Sequence, residues 1–599
     1  MQNTSIAYKE QINKTTRNPS YVEVTFKLVD PQAVTDSTFV VDSEVWYSDV
    51  DSIDLEQDVN TMYQTLEHNR FYLDGVGILS PTPPSVFPYM GYIGDEISNS
   101  VGEFISEPVI TVNFADYFSL VGLTFEFDLD RGEYPSELQI ISYKDGVVNG
   151  NNTYYPTSSS WVLNSQIPTT DTFNKLEIII VETNVPYRRA RIQSMLFGIV
   201  KMFDENNISG VVWTRRIDRV SSKLPVEDFE LTFIDKDKEY DPENPSGIYS
   251  YIESGQPIDC RWGYDLDNGT IEWIDGASTL TTGEINIDGS TNIPLVTIRS
   301  SSRLNLLNKA YDEGLYYPSG INLYDLAEDV LQFANIPLDS LGNVRWTLDT
   351  SLQSIYTKSP LPAMPCKDCL QLIANAGQCC LYTDRDGYII IKPYNYSIND
   401  FTFDYSNILD VPSITKYPLL KEVNANMYIY TLGTVNEELL TEEIDVGIVE
   451  TEFIFEIDSS TDVALVLGAG VTLVGTVSYF TNYVKATLTG TGNVTINGKV
   501  LTISTSTIIK AVNTSGEICP VDNVLITNRT YAIEYMTWIS NVIQLRNFYK
   551  VSDRGYPELD MLDDILAQTG YSVDKEVVLI GNKITYNGAL SSESEYVGG

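Results

Sequence analysis

Tyr240-Asp241-Pro242-Glu243-Asn244-Pro245-Ser246-Gly247-Ile248 is the stretch on which the reading of this chain turns. Its two prolines and its glycine fix a rigid, non-helical excursion. Phe229-Glu230-Leu231-Thr232-Phe233, just before it, alternates as a half-buried strand does. Ile258-Asp259-Cys260-Arg261-Trp262-Gly263-Tyr264 follows as a second strand, and Gly269-Thr270-Ile271-Glu272-Trp273-Ile274-Asp275-Gly276 opens a third. From Ile208 to Leu280 the chain therefore reads as an antiparallel barrel or sandwich carrying one elaborate loop.

Upstream, Tyr21 to Leu28 alternates cleanly, with Phe39 to Tyr47 as its expected partner strand. A loop rich in proline and glycine at 80–98 marks a boundary. Residues 104–198 then read as a β-sandwich of jelly-roll type. Its candidate strands are Val109–Phe114, Leu123–Phe127, Glu137–Tyr143, Ser160–Leu163, Lys175–Val181 and Ile192–Gly198.

Downstream, Pro294 to Ser300 closes the first sheet, and Arg303 to Leu307 reads as a short helix. Leu323, Leu326, Ala327, Val330, Leu331 and Ala334 then recur with helical spacing behind Asn322, a candidate N-cap. A second helix, about Lys367 to Ala376, ends at Gly377. It leads into a strand, an Asp386-Gly387 turn and another strand. Residues 410–458 begin a further β domain, 459–515 form a compact Thr/Gly-rich β insertion, and Trp538 to Val551 resumes long strands.

Composition agrees with a mostly β, multidomain protein. The 599 residues suffice for several domains, and the 39 tyrosines and 38 glycines favour strands with many turns. A formal net charge of −44 repels nucleic acid and anionic membranes, so a sequence-reading nucleic-acid binder is not expected. Met1 to Gln11 has neither a basic start nor an apolar run, and the most apolar stretch, Val463 to Val477, is broken by Gly468, Gly470 and Gly475. Neither a secretory signal nor a membrane span is expected.

Catalytic chemistry is not expected either. With His68 as the one histidine there is no Ser-His-Asp set and no histidine zinc site. Cys366-x-x-Cys369 and Cys379-Cys380 invite a zinc reading, but adjacent cysteines rarely ligate one tetrahedral ion. Cys369 shares a helix face with Leu372, Ile373 and Ala376, which points to buried thiols. Asp384, Asp386 and Gly387 resemble the start of a calcium loop without its distal acid, so a plain Asp-Gly turn is the reading kept. No cofactor and no metal is expected.

The order strand, "YDP.NP.G" loop, strand ending in "WGY" and strand ending in "EWIDG" resembles the first barrel of tail-hub proteins of long-tailed bacteriophages, the N-terminal part of tail-associated lysins. Tyr63-Gln64-Thr65-Leu66-Glu67 with Phe71-Tyr72-Leu73-Asp74-Gly75 resembles a signature near the start of such hubs. "LYDLAEDVL", "CLQLIANA" and "DRDGYI" resemble the small α/β domain after the first barrel. Arg554 to Ile565 with Lys583 to Leu590 resembles the close of the second. Gly122 to Phe127 and Ala190 to Gly198 resemble galactose-binding-like, carbohydrate-binding modules.

The resemblance implies two tube-like β-barrels plus a small α/β domain, with an inserted sandwich and a second small β insertion. The division it implies is 1–100 (arm and first strands of barrel one), 104–198 (sandwich), 199–315 (rest of barrel one) and 316–400 (α/β domain). It continues with 401–458 and 516–599 (second barrel) and 459–515 (insertion). It implies a non-enzymatic virion protein, a homotrimeric hub assembled in the host cytoplasm. The hub closes the tail tube at the baseplate or tail tip, and DNA passes its lumen during ejection without specific binding. Expected partners are the tail tube or distal tail protein, the tape measure protein, and a spike or lysin. Without a C-terminal extension of peptidase or glycosidase character, wall cutting is expected from another chain.

The sandwich is either a spacer or a contact for host cell-wall glycan, with Trp161, Tyr187, Arg188 and Arg189 as its candidate residues. Glu230 and Asp259, alternating with apolar neighbours, are candidate positions on an acid-lined lumen wall. The competing reading is a carbohydrate-binding or glycoside-hydrolase protein acting on cell-wall polysaccharide.

Overall fold

The computed structural model describes residues 1–14, 16–53, 63–64, 67–68, 70, 78–79, 91–129, 131–163, 172–244, 247–267, 269–289, 294–338, 343–394, 398–403, 408–567 and 575–598. The hub-like residues Thr65, Leu66 and Phe71 to Gly75 lie outside these, as do Pro245 and Ser246 of the proline loop and most of the boundary loop at 80–98. The chain is mostly β and multidomain, as its alternation and turn chemistry predict.

One large sheet organises the fold. Its strands run side by side as Gly198–Phe203, Ser20–Val29, Ser254–Asp265, Ile271–Asp288, Leu295–Ser301, Val226–Ile234, Ile208–Arg216, Lys575–Tyr586, Leu590–Gly598, Asn547–Asp553 and Ser413–Lys416. Strands read as two barrels are thus joined edge to edge. The joint is the antiparallel pairing of Ile208–Arg216 with Lys575–Tyr586, from Val211 opposite Tyr586 to Arg216 opposite Gly581. Both halves also share one core: Trp213, Phe229 and Trp262 from the first lie in the same cluster as Ile584, Tyr596 and Val597 from the second.

The proline loop is tied at its base. The Asp235 carboxylate accepts from the backbone N–H groups of Glu239 and Tyr240 at 3.0 and 3.1 Å. Tyr240 is buried edge-on to Phe233, with ring centroids 4.8 Å apart. Ile248 N–H closes the excursion on Glu239 O at 2.8 Å.

The sandwich strands fall where alternation places them: Val109–Phe118, Leu123–Glu126, Pro135–Lys144, Ser160–Leu163, Phe173–Thr183 and Ser194–Leu196. Val147–Tyr154 adds a polar strand with no buried residue to signal it. Ser37–Val41 pairs with Val109–Phe118 of the sandwich, not with the first strand, whose partners are Gly198–Phe203 and Ser254–Asp265. Phe39 there packs on the sandwich core, which binds this segment more strongly than the already satisfied Ser20–Val29 edge would.

Of the helices expected from the sequence, Leu323–Phe333 has the predicted cap, Asn322 accepting from Asp325 N–H at 2.8 Å. The second, Cys366–Ala376, ends at Gly377, where a Cβ would come within 2.3 Å of Leu352 Cδ2. The left-handed residue is Gln378, at φ 57°. Arg303 to Leu307 holds only a 3-10 turn, Leu304–Leu306.

Trp538 lies in a helix, Arg529–Gln544, and the strand resumes only at Asn547. Asn528 caps this helix through the N–H groups of Thr530 and Tyr531. Buried Ala532, Tyr535, Met536 and Ile539 supply a helical stripe that packs on the α/β domain. The Thr/Gly-rich region forms three strands, Ser460–Leu467, Val471–Tyr479 and Tyr483–Ala511. The last, 29 residues long, also pairs with Leu420–Leu432 and Glu437–Glu456.

Candidate functional site

The face of the large sheet turned away from the core carries Glu230 and Asp259. Each is flanked by buried residues: Phe229 and Leu231 in one strand, Ile258 and Cys260 in the other. Cross-strand register makes this face continuous over the joint, in rows such as Arg299, Glu230, Val212, Thr585, Ser591.

Its charges are matched strand to strand. Arg299 pairs with Glu230 at 3.2 Å and with Glu284 at 2.7 Å, and Lys27 pairs with Asp259 at 2.8 Å. Arg261 meets Glu23 at 2.7 Å while lying 4.6 Å from the Trp273 ring centroid. Arg216 meets Glu595 at 3.4 Å across the joint, and within the second half Lys550 meets Glu593 at 2.9 Å. Six carboxylates meet five cations in these pairs, while Asp228 and Asp275, on the same face by register, carry no ion pair among the described residues. A further acid excess gathers on Glu437–Glu456. That strand carries eight acids and no lysine or arginine, and none of the eight is ion-paired among the described residues.

In the sandwich, the four candidate residues do not form one site. Trp161 is half-buried, its ring stacked 5.8 Å from Phe125 and tilted 6.1 Å from Tyr154. Arg188 is buried: its Nε donates to both oxygens of Glu133 at 2.9 and 3.0 Å, and Nη1 donates to His68 O at 2.6 Å. Arg189 donates through its backbone N–H to Glu67 and through Nη1 to the carbonyls of Gly94 and Asp95. Tyr187 remains at the rim, 41% exposed at φ 60°, with its ring 5.4 Å from that of His68.

Arg188 belongs to a buried ion cluster with Glu67, Arg70, Asp128, Glu133 and Arg191, which Arg189 joins only through its backbone N–H. The space it encloses is about 10 Å³, too little for a ligand. No sequence signal marks this cluster, since Arg188 and Glu133 are 55 residues apart and Arg191 and Glu67 are 124 apart. Arg188→Ala is expected to destabilise the sandwich by about 2 kcal/mol, because Glu133 loses one of its two arginine partners, keeping Arg70, and His68 O loses its donor. Thermal unfolding that left the variant unchanged would free Arg188 for ligand binding.

A third cluster fills the seam between the sheet halves and the α/β hairpin. Arg385, 5% exposed, donates to Asp560 Oδ1 at 2.7 Å and to the carbonyls of Pro557 and Leu559 at 2.9 and 3.0 Å. Arg215 reaches Leu559 O at 3.1 Å and lies 3.8 Å from the Trp213 ring centroid. The Met1 amine lies 3.1 Å from Asp560 and 2.9 Å from Asp563. Burial pushes Asp560 up, but Arg385, this amine and Arg215 outweigh it and hold the carboxyl below its usual range.

Burial raises Glu227 to about 7, against the pull of Arg215 and the Trp213 N–H, which donates to it at 3.2 Å. Burial likewise raises Glu558, which accepts from Tyr8 Oη at 2.8 Å, to about 7. Asp384 is raised to about 6 by burial; it accepts from Asp386 and Tyr388 N–H at 3.1 and 2.8 Å, and Gly387 sits at φ 78°. Those bonds are those of the Asp-Gly turn.

Of the cysteines, Cys260, Cys366, Cys369, Cys379 and Cys380 are buried and Cys519 is half-buried; all are free thiols. Burial pushes Cys369 well above the usual thiol range and Cys379 up to about 12. Among the described residues no group of three or more His, Cys, Asp or Glu is placed to hold a metal ion. No helix among them is long and apolar enough to cross a membrane.

No protein-family model matches the chain, and no curated protein matches it. Among solved structures it is similar to a tail protein from Neisseria meningitidis MC58, at 10% identity and a TM-score of 0.38, over 66% of this chain and 93% of that one. It is similar to the prophage MuSo2 tail protein from Shewanella oneidensis, at 12% identity and 0.37, over 66% and 95%. A third is a prophage tail protein from Listeria monocytogenes EGD-e, at 9% and 0.35, over 66% and 91%. At such TM-scores these likenesses assign neither family nor activity.

Proposed function

We propose that the chain is a non-enzymatic structural subunit of a phage-type tail: a homotrimeric hub closing the distal end of the tail tube at the baseplate or tail tip. The observation that carries this reading is the large sheet. Both halves join in one wall, with an apolar core on one side and a hydrated, charge-matched face on the other. Among the described residues its pairing path is open, ending at Gly198–Phe203 and Ser413–Lys416. Such edges are ordinarily covered, and copies of the chain arranged as a ring would cover them.

In a ring, the face bearing Glu230 and Asp259 becomes the lumen wall. Its cations are already held by carboxylates, so they offer DNA phosphates little purchase, and the duplex passes without specific binding. The domain division inferred from the sequence, with a second barrel in 401–458 and 516–599, is part of this proposal. So are assembly in the host cytoplasm and contacts with the tail tube or distal tail protein, the tape measure protein and a spike or lysin. Host-glycan contact through the sandwich rests on Trp161 and Tyr187, whose rings keep some exposed surface. As to glycoside hydrolysis, the raised carboxyls Glu227 and Glu558 are 4% and 3% exposed, enclosed where no glycosidic bond reaches them.

The test is the mass of the purified chain by light scattering at micromolar concentration. A trimer, or edge-driven association, is expected; a stable monomer would count against the hub reading.

A further inference from the structure

The core of the large sheet runs out at one edge. Cross-strand register sets Leu579, Tyr596, Tyr549 and Ile414 in one row on the core face, and their exposure climbs along it from 0% through 2% and 6% to 42%. Every residue from Leu409 to Leu419 except Pro412 is exposed, Val411 and Tyr417 among them. Ser413–Lys416 pairs only with Asn547–Asp553 among the described residues. An apolar row that ends in water at an unpaired strand lacks its next member. The main chain there is ready for one. Tyr417 N–H donates to Arg546 O at 3.1 Å, so Tyr417, Thr415 and Ser413 turn their backbone groups to the neighbour they already have. By alternation Ile414 and Lys416 turn theirs to the open side. Pro412 and Pro418, next in the same phase, have no N–H, which confines pairing to the short stretch between them. The Lys416 ammonium has no ion pair among the described residues.

A second open edge matches this one. Glu437–Glu456 pairs on one side only, with Tyr483–Ala511, among the described residues. Ile457 N–H donates to Asn482 O at 2.9 Å, so by the same alternation Phe455 and Phe453 face that partner. Glu452, Ile454 and Glu456 then present their backbone groups to the open side. All three side chains are exposed, Ile454 at 54%, and neither glutamate is ion-paired among the described residues. Two copies of this strand do not suit each other: set antiparallel about Ile454, they place Glu452 against Glu456. Set antiparallel on Ser413–Lys416, the same strand brings Ile454 opposite Ile414 and Glu452 opposite Lys416, an apolar pair beside an ion pair. Within one chain both edges stay open, so the match is made between copies.

We propose that Glu437–Glu456 of one copy adds as a strand to Ser413–Lys416 of a second copy, with Ile454 opposite Ile414 and Glu452 opposite Lys416. The contact joins two different surfaces, so it repeats from copy to copy until a ring closes. It deepens the tail-hub reading and rests on that reading for the closure of the ring.

The experiment is sedimentation velocity on the full chain across the micromolar range, with Lys416→Glu, Glu452→Lys and the double variant carrying both. Each single reversal is expected to weaken self-association about tenfold, and the double variant to restore it by exchanging the two charges. The single reversals move the net charge in opposite directions, so weakening by both is not an effect of overall repulsion. Both positions are exposed, and thermal unfolding checks that the variants fold. A parent chain that associates equally well in all variants, or a double variant no better than the singles, overturns the pairing and leaves the hub reading standing. A parent chain that stays monomeric overturns both. Tighter association of Glu452→Lys would show two Glu437–Glu456 strands meeting each other, and that too overturns the pairing. So does association lost in Met202→Asp but kept in Lys416→Glu, which would place the contact at the opposite edge of the sheet.

Discussion

Arg385→Ala is expected to lower the stability of the chain by on the order of 3 kcal/mol. The guanidinium is 5% exposed and bridges the hairpin of the α/β domain to the 557–560 turn of the second half of the sheet. Removing it takes the Arg385 donor from Pro557 O in a buried seam, while Leu559 O keeps Arg215. Asp560 keeps the Met1 amine, and Arg215 at 4.0 Å, so the loss stays nearer the lower end for a broken buried pair. Arg216→Ala is the matched control: its pair with Glu595 is exposed, and its loss is expected to cost less than about 0.5 kcal/mol. Urea unfolding measures both. The added prediction is local: amide exchange across 554–565 quickens in Arg385→Ala and not in Arg216→Ala. Equal midpoints for the two variants would mean that Arg385 does not hold the seam.

The difference between these two arginines shows what a sequence can and cannot disclose. Alternation in Phe229 to Phe233 and in Ile258 to Tyr264 gives both strands and the outward direction of Glu230 and Asp259, because a strand has a period of two. Their ion partners are another matter: Arg299 is 69 residues from Glu230 and Lys27 is 232 from Asp259, and only sheet register brings them together. Asn322 betrays its helix because a cap is a local device. The helix at Arg529–Gln544 stays hidden because threonine, tyrosine, tryptophan, isoleucine and valine dominate it, residues whose propensity favours strands. Packing of Tyr535 and Ile539 on the α/β domain overrides that preference. Arg385 lies in a motif legible as an Asp-Gly turn, but its partners come from 172 to 175 residues further on. The arginines at 188 and 189 looked like ligand-binding side chains because sequence does not reveal that Glu133 already holds the first and the carbonyls of Gly94 and Asp95 the second.

Glu227→Gln is expected to stabilise the chain at pH 8 by on the order of 3 kcal/mol and to change it little at pH 5. Burial raises this carboxyl from an ordinary 4.5 to about 7, so the folded state binds the proton more tightly than the unfolded state does. Its contribution is therefore fully present below pH 4.5 and is lost as the pH rises through 7. Above that, folding must bury a carboxylate at 4% exposure, and a neutral amide of the same shape escapes that cost. Glu558, Asp384 and Asp553 act with the same sign, burial raising them to about 7, 6 and 6, so the parent chain should weaken from pH 5 to pH 8. Asp560 acts oppositely, but in a window below pH 4 that the comparison does not enter. Repulsion among the acids of a chain at −44 also grows with pH, yet it is nearly common to parent and variant and cancels in their difference. Denaturant unfolding of both proteins at half-unit steps from pH 5 to pH 8 isolates the Glu227 share. A constant offset between the two curves, or a variant that is weaker at pH 8, would show that Glu227 is ionised in the fold and held there by Arg215.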